Sequence, residues 1–243
     1  MKSHTYEILY NVEADHWWFR GRRELIRTQI RSACNGACLR RILDIGCGTG
    51  MNLTMLGEFG TQFGIDFSAD ALRLCRRRHP CRLARGDATG LPFPNRSFDL
   101  VTALDVIEHL DDDRAAFREI ARVLSPGGLA VVFVPTFMFL WGVQDDVSLH
   151  KRRYRLPELR RLLTEAGLRV ERSSYVNFFL FLPILLVRKL MKLFRVEVES
   201  ENNINSPFVN WLFTRLFLAE IPLLRVIRFP FGVSAFAIAR KIE

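Results

Sequence analysis

Between Leu39 and Val134 the chain alternates short apolar runs with amphipathic stretches, and this alternation leaves few folds open to it. The runs RILDIG, FGID, CRLARGD, FDLVTAL and LAVVFV have the length of strands, and helical segments such as Ala71 to Arg78 separate them. Strands alternating with helices argue for a parallel sheet covered on both faces, the α/β doubly wound class. The stretch DDDRAAFREIARVLSPGG reads as one of the covering helices, with acids in its first turn and apolar positions at Ala116, Phe117, Ile120, Val123 and Leu124; Ser125 to Gly128 stops it. A further helix over Pro157 to Ala166 ends at Gly167, a strand follows from Arg169 to Val176, and Val233 to Ala239 is the last strand.

At 243 residues there is room for one full α/β domain, and length alone demands no second. Residues 1–35 read as an N-terminal helical cap and 36–243 as the main domain, with an apolar insertion over 178–231. The insertion consists of Phe178 to Phe194 and Phe208 to Phe231, joined by the polar VEVESENNINS, and reads as a helical hairpin before the last strand. Its uninterrupted apolar run, Phe178 to Val187, is ten residues, whereas a spanning helix needs about 20. Pro183 interrupts the first segment, and Arg188, Lys189, Lys192 and Arg195 cluster on one side of it. Pro222 and Pro230 break the second, which starts near Trp211 and carries Arg225 and Arg228 near its end. Such a hairpin can lie in a membrane interface without crossing it; its alternative is a soluble lid or dimer contact.

The net charge of +9 falls in short clusters, Arg20, Arg22 and Arg23, Arg76 to Arg78, Lys151 to Arg153, and Arg188 with Lys189 and Lys192, with no nucleic-acid motif beside them. No nucleic-acid partner is expected. The five cysteines, Cys34, Cys38, Cys47, Cys75 and Cys81, form no C-x-x-C pair with matching histidines and are odd in number, so neither a metal site nor a disulfide framework is expected. The first 18 residues lack the apolar core of a signal peptide, which points to a reducing cytoplasm.

LDIGCGTG, Leu43 to Gly50, follows an expected strand and opens a helix; its glycines let the backbone turn sharply and approach a ligand. Twenty residues after Gly46, Asp66 ends the strand FGID, where a carboxylate can accept both hydroxyls of a ribose. A nucleoside ligand is implied. Met51 and Leu53 stand where a dinucleotide fingerprint needs its third glycine, so a nicotinamide cofactor is disfavoured.

With the glycine loop, GIDFS, ARGDATGLPFPNRSFDLV and ALDVIEHL in this order and spacing, the chain resembles the class I S-adenosylmethionine-dependent methyltransferases over roughly Arg40 to Ala239. The resemblance implies a seven-stranded Rossmann-like sheet with its last strand antiparallel, and S-adenosyl-L-methionine as cofactor. It implies that Gly46, Gly48 and Gly50 border the methionine moiety, that Asp66 holds the ribose, that Asp87 meets the adenine amino group with Ala88 beside it, and that Leu104 and Asp105 line the methyl-transfer face. Asp44 and Phe67 complete the expected cofactor set, although Asp44, like Asp99, also reads as a residue that only fixes a loop.

An activated donor leaves the protein to supply alignment and, for a hydroxyl acceptor, a base. His109 in DVIEHL and His150 in WGVQDDVSLHKRRY are the candidates, since both follow strand ends where ligand-facing loops belong. Each reads equally well as structural. For DHWWFRGRR, Asp15 to Arg23, the resemblance implies leading helices that cover the cofactor, with Trp17, Trp18 and one of Arg20, Arg22 and Arg23 closing the site; an aromatic core is the equal alternative. The expected function is methyl transfer to a hydrophobic or lipid-linked small molecule, by a cytoplasmic protein peripheral on the inner face of the membrane. The alternatives are a non-catalytic cofactor-binding assembly protein that docks a membrane partner, or an enzyme acting on a soluble metabolite. A nucleic-acid methyltransferase is disfavoured because ALDVIEHL replaces the N-P-P-Y-like tetrapeptide of an adenine N6 enzyme.

Overall fold

The structure is a computed structural model and describes residues 3–36, 39–78, 82–194 and 206–242. Cys38, Cys81, Arg195 and most of the linker between the two apolar segments lie outside the described residues. Seven strands form one sheet: β1 (Arg41–Ile45), β2 (Thr61–Asp66), β3 (Arg82–Arg85), β4 (Phe98–Leu104), β5 (Leu124–Pro135), β6 (Leu168–Val176) and β7 (Ser234–Lys241). Their order is β3-β2-β1-β4-β5-β7-β6. The first five pair in parallel, and β7 runs antiparallel to both neighbours. The central strands are apolar almost without interruption because helices cover both sides; β4 and β5 contribute Leu100, Val101, Val131 and Phe133 to the two cores.

Two helices lead, α1 (Ser3–Val12) and α2 (Trp17–Cys34); then come α3 (Met51–Leu56), α4 (Ala69–Arg78), α5 (Asp113–Val123), α6 (Val143–Ser148) and α7 (Leu156–Glu165). The insertion holds α8 (Phe181–Leu193) and α9 (Pro207–Leu223). α2 buries Leu25, Ile26 and Ile30 on one face, and its N-cap His16 accepts a hydrogen bond from the Trp18 N–H. In α5 the N-cap Asp112 accepts from the Ala115 N–H at 2.8 Å.

Pro183 does not interrupt the first apolar segment. It is the third residue of α8, in the turn whose N–H groups have no intrahelical partner to lose. Arg188 does not face outward with Lys189 and Lys192; its side chain turns in and donates to the Leu140 carbonyl. The outer stripe of α8 is apolar and exposed at Leu182, Leu186, Leu190 and Leu193. The second segment is helical only to Leu223, one residue past Pro222.

α9 is fastened to the leading helices. Asn210 accepts from the Trp17 N–H at 2.6 Å and donates to the Asp15 carbonyl at 2.9 Å, while Trp17 and Phe213 meet edge to face. A Cβ at Gly21 would stand 2.1 Å from the Phe217 ring, so α2 and α9 touch closely only because position 21 has no side chain. Among the described residues no helix is long and apolar enough to cross a membrane.

Candidate functional site

The carboxyl ends of β1, β2, β4 and β5 open into a cavity of about 1260 Å³, roofed by α1 and α2 and continued along α8 and the start of α9. Gly46 and Gly48 lie on its wall. Gly46 has φ +64°, and a Cβ there would stand 2.4 Å from Val106, so the loop tolerates only glycine. Gly50, expected beside them, is behind the wall: with φ +89° and Cys75 2.6 Å from a hypothetical Cβ, it seats α3 against α4.

Asp66 faces the cavity, and its two oxygens accept N–H groups from Gly48 at 2.9 Å and Ser68 at 2.8 Å. A carboxylate has about four acceptor positions, so two remain for a ligand's hydroxyls. Burial raises the Asp66 carboxyl above the ordinary range, and the Ser68 and Gly48 hydrogen bonds oppose the rise. Phe67 is exposed at the rim, with Arg85 donating to its carbonyl at 3.1 Å. Asp87 is turned by the Thr89 N–H and hydroxyl, both 2.8 Å from its Oδ1, and shares the wall with Ala88. These positions fit a nucleoside: paired acceptors at the end of β2, a second carboxylate past β3, and a bare backbone between them.

Asp44 is not on the wall. It is buried under the loop, with Thr102 Oγ1 donating to it at 2.6 Å, and burial pushes its carboxyl up to about 7. Asp99 accepts the Arg40 and Arg41 N–H groups at 2.7 and 3.1 Å at the far end of the sheet.

Leu104 and Asp105 line the far side of the cavity. Asp105 adopts φ +57°, which turns the chain off β4, and Arg22 of α2 donates to its carboxylate. Among the three arginines left open by the sequence, Arg22 is therefore the one on the wall; Arg23 holds the Glu13 and Ala14 carbonyls and Arg20 is exposed.

His109 and His150 both reach the cavity, their rings 4.7 Å apart and edge to face. Burial, with His150 nearby, pushes His109 down to about 4. His150 Nδ1 is 2.8 Å from Asp145 Oδ1, and Arg153 grips that carboxylate at 2.8 and 2.9 Å. Burial acts to raise Asp145, yet the His150 and Arg153 hydrogen bonds outweigh it and hold the carboxyl well below the usual range. An ionised Asp145 keeps the ring proton on Nδ1 and leaves the Nε2 lone pair available. That nitrogen is 3.8 Å from Glu108 Oε1, on a fully buried carboxyl with no hydrogen-bond partner on either oxygen. Burial, then Asp105, raises Glu108 well above the ordinary range. Among the described residues, Glu108, His109 and His150 are the set that could hold a metal ion, with one donor atom each, all within 4.8 Å of one another.

Lys151, Arg152 and Arg153 beside His150 read in the sequence as holders of an anionic group, but Arg152 is on Asp113 and Arg153 on Asp145, an acid that the sequence does not mark. Asp145 sits in the six-residue α6, inside a stretch that reads as loop, and only the fold brings Arg153 onto it.

Residues 43–132 match the family described as a methyltransferase domain. A Mycolicibacterium smegmatis protein named Probable S-adenosylmethionine-dependent methyltransferase is 32% identical over 161 residues, which cover 65% of this chain and 61% of that protein. A fatty-acid O-methyltransferase of the same organism is 32% identical over 145 residues, 57% of this chain and 47% of its own length. The chain thus spans less than two thirds of these curated relatives. A solved S-adenosylmethionine-dependent methyltransferase from Archaeoglobus fulgidus superposes with a TM-score of 0.56 at 22% identity, covering 90% of this chain and 94% of that one. Residues 43–132 thus match a methyltransferase domain, the relatives resemble the chain over part of their length, and the whole has the Rossmann-like fold of the class I S-adenosylmethionine-dependent methyltransferases.

Proposed function

We propose that the protein transfers a methyl group from S-adenosylmethionine to a hydrophobic or lipid-linked small molecule, working from the cytoplasmic surface of a membrane. One observation carries the reading: a single cavity joins the Gly46, Asp66 and Asp87 wall to His150 and then to the apolar inner face of α8. When bound, S-adenosylmethionine supplies a methyl group already activated by its sulfonium. Asp66 and Asp87 orient the nucleoside, Gly46 and Gly48 let the backbone come close, and Asp105, fixed by Arg22, borders the transfer face. His150 Nε2 takes the proton of an acceptor hydroxyl while Asp145 holds the ring; the methyl would pass to that oxygen as its bond to sulfur breaks, leaving neutral S-adenosylhomocysteine. His109, packed edge-on against it, is the alternative base.

The named relatives give the acceptor class its support, since one is a fatty-acid O-methyltransferase and others are demethylmenaquinone methyltransferases. The exposed leucine stripe of α8 beside Lys189 and Lys192, with Phe208 and Trp211 exposed on α9, supports the membrane surface. The test is mass spectrometry of lipid extracts incubated with the protein and S-adenosylmethionine, in which a species gaining one methylene mass is expected and its absence refutes the acceptor class. Flotation with anionic vesicles at low salt tests the surface: recovery in the bottom fraction overturns it and makes the insertion a soluble lid.

A second reading of one corner is favoured by the unpartnered Glu108 carboxyl: with His109 and His150 it would ligate a divalent cation that polarises the acceptor oxygen. Dialysis against EDTA separates the two, because the base reading expects unchanged turnover.

A further inference from the structure

We infer that the inner face of α8 and the first turns of α9 form a slot for the unbranched hydrocarbon tail of the acceptor, distinct from the cofactor's part of the cavity. The inference deepens the methyl-transfer reading and rests on it only for the ligand's head. A site for one small molecule is typically about 300 to 1,000 Å³; this cavity is about 1260 Å³, larger than the nucleoside wall alone requires. Its two ends differ in chemistry. The end at β1 and β2 presents backbone groups and carboxylates, whereas the far end presents Pro183, Ile184, Val187 and Met191 from α8 and Val209 and Phe213 from α9.

These side chains form stripes. Pro183, Val187 and Met191 follow one another at four-residue steps, Ile184 flanks them, and Val209 and Phe213 repeat the spacing. From Pro183 to Met191 the stripe runs about 12 Å, which suits an extended chain better than a compact ring. The polar residue on that face of α8 is Arg188, and its guanidinium is engaged by the Leu140 carbonyl, with Asp145 Oδ2 at 3.8 Å. The side chains of the stripe itself present only hydrocarbon, so a polar ligand lying on them would lose hydration there, while a hydrocarbon gains by burial. The slot also ends in the right place. Arg188, one helical turn from Ile184, is 3.8 Å from the Asp145 carboxylate that holds His150, so a tail lying on the stripe delivers its head to the histidine.

The experiment measures binding of butanol, octanol and dodecanol to the intact protein by intrinsic tryptophan fluorescence, since Trp17 and Trp18 line the cavity, with and without saturating S-adenosylhomocysteine. Burial of each methylene should raise affinity about fourfold until the slot is full. Val187→Asp, at a half-exposed position of the stripe, should abolish the length dependence, and Val187→Trp should bring the plateau to a shorter chain. Leu186→Asp, on the exposed outer face next to it, should change neither. An affinity independent of chain length overturns the slot. So does equal weakening by Leu186→Asp and Val187→Asp, which would mean that the chains adsorb on the outer surface. If S-adenosylhomocysteine fails to bind while the length dependence and its loss in Val187→Asp persist, the slot stands and the methyl-transfer reading falls.

Discussion

Replacing Asp66 by alanine removes the group on which the cofactor assignment turns, and its hydrogen bonds set the size of the effect. Its Oδ2 and Oδ1 accept the Gly48 and Ser68 N–H groups at 2.9 and 2.8 Å, which leaves two of its roughly four acceptor positions for the ribose hydroxyls. A hydrogen bond to a charged group contributes about 1.5 to 3 kcal/mol, so two contribute about 3 to 6 kcal/mol. At about 1.4 kcal/mol per decade that is a hundredfold or more in affinity. Water entering the gap restores part of the bonding to the hydroxyls, so a loss of about tenfold is the least expected. Titration calorimetry with S-adenosylhomocysteine reads the change. Asp99→Ala is the matched control, because it too frees two backbone N–H groups, of Arg40 and Arg41, but at the end of the sheet away from the cavity. Asp99→Ala should lower stability and leave affinity alone. Affinity of Asp66→Ala within about threefold of the parent, in a variant shown to be folded, would refute both the assignment and the reasoning.

Burial lifts the Asp44 carboxyl from the usual region near 4 to about 7, so between those values the folded state holds a proton that the unfolded state has lost. Stability therefore falls as pH rises through that window and levels off above it, by about 4 kcal/mol in all. Asp44→Asn should gain on the parent by about that amount between pH 4 and pH 8 in urea unfolding, and parallel pH profiles would count against the shift. His150→Ala and His109→Ala, measured separately at saturating cofactor, should show one loss of turnover of about 100-fold to 10,000-fold; if both keep full turnover, the two rings are structural. Asp145→Asn should reduce turnover by less than His150→Ala, since the ring stays but its tautomer is no longer fixed.

Much of the sheet, and of the cavity wall at its strand ends, could be read from the chain because the signals are local. Gly46, Gly48 and Asp66 are adjacent in space for the same reason they are regularly spaced in sequence: a strand, a turn and the next strand end at one edge. Position within such a motif does not say which residue touches a ligand. Gly50 and Asp44 share the motif yet serve packing and a buried hydrogen bond. Arg22 was indistinguishable from Arg20 and Arg23 because helical phase selects it only once α2 has been laid over β4. Asp145 carried no signal, since its meaning depends on Arg153 and His150 arriving from the far side of a loop. Pro183 misled because a proline reads as a break unless the helix is known to begin two residues before it.

The bare Cα of Gly21 under the Phe217 ring has a bearing on how this architecture can be inherited. An insertion is usually imagined as a cassette that is gained or lost without disturbing its host, but α9 occupies space that any side chain at position 21 would fill. The leading helix and the insertion must therefore be exchanged together: a chain of this fold with a bulky residue at that point of its first long helix has no room for an α9 placed as it is here. Grafting the insertion onto another sheet would require the matching α2. Excising it would leave an open notch beside α2 and remove the α8 side of the cavity, which makes substitutions on the outer leucines of α8 a cleaner probe of its role than removal of the whole segment.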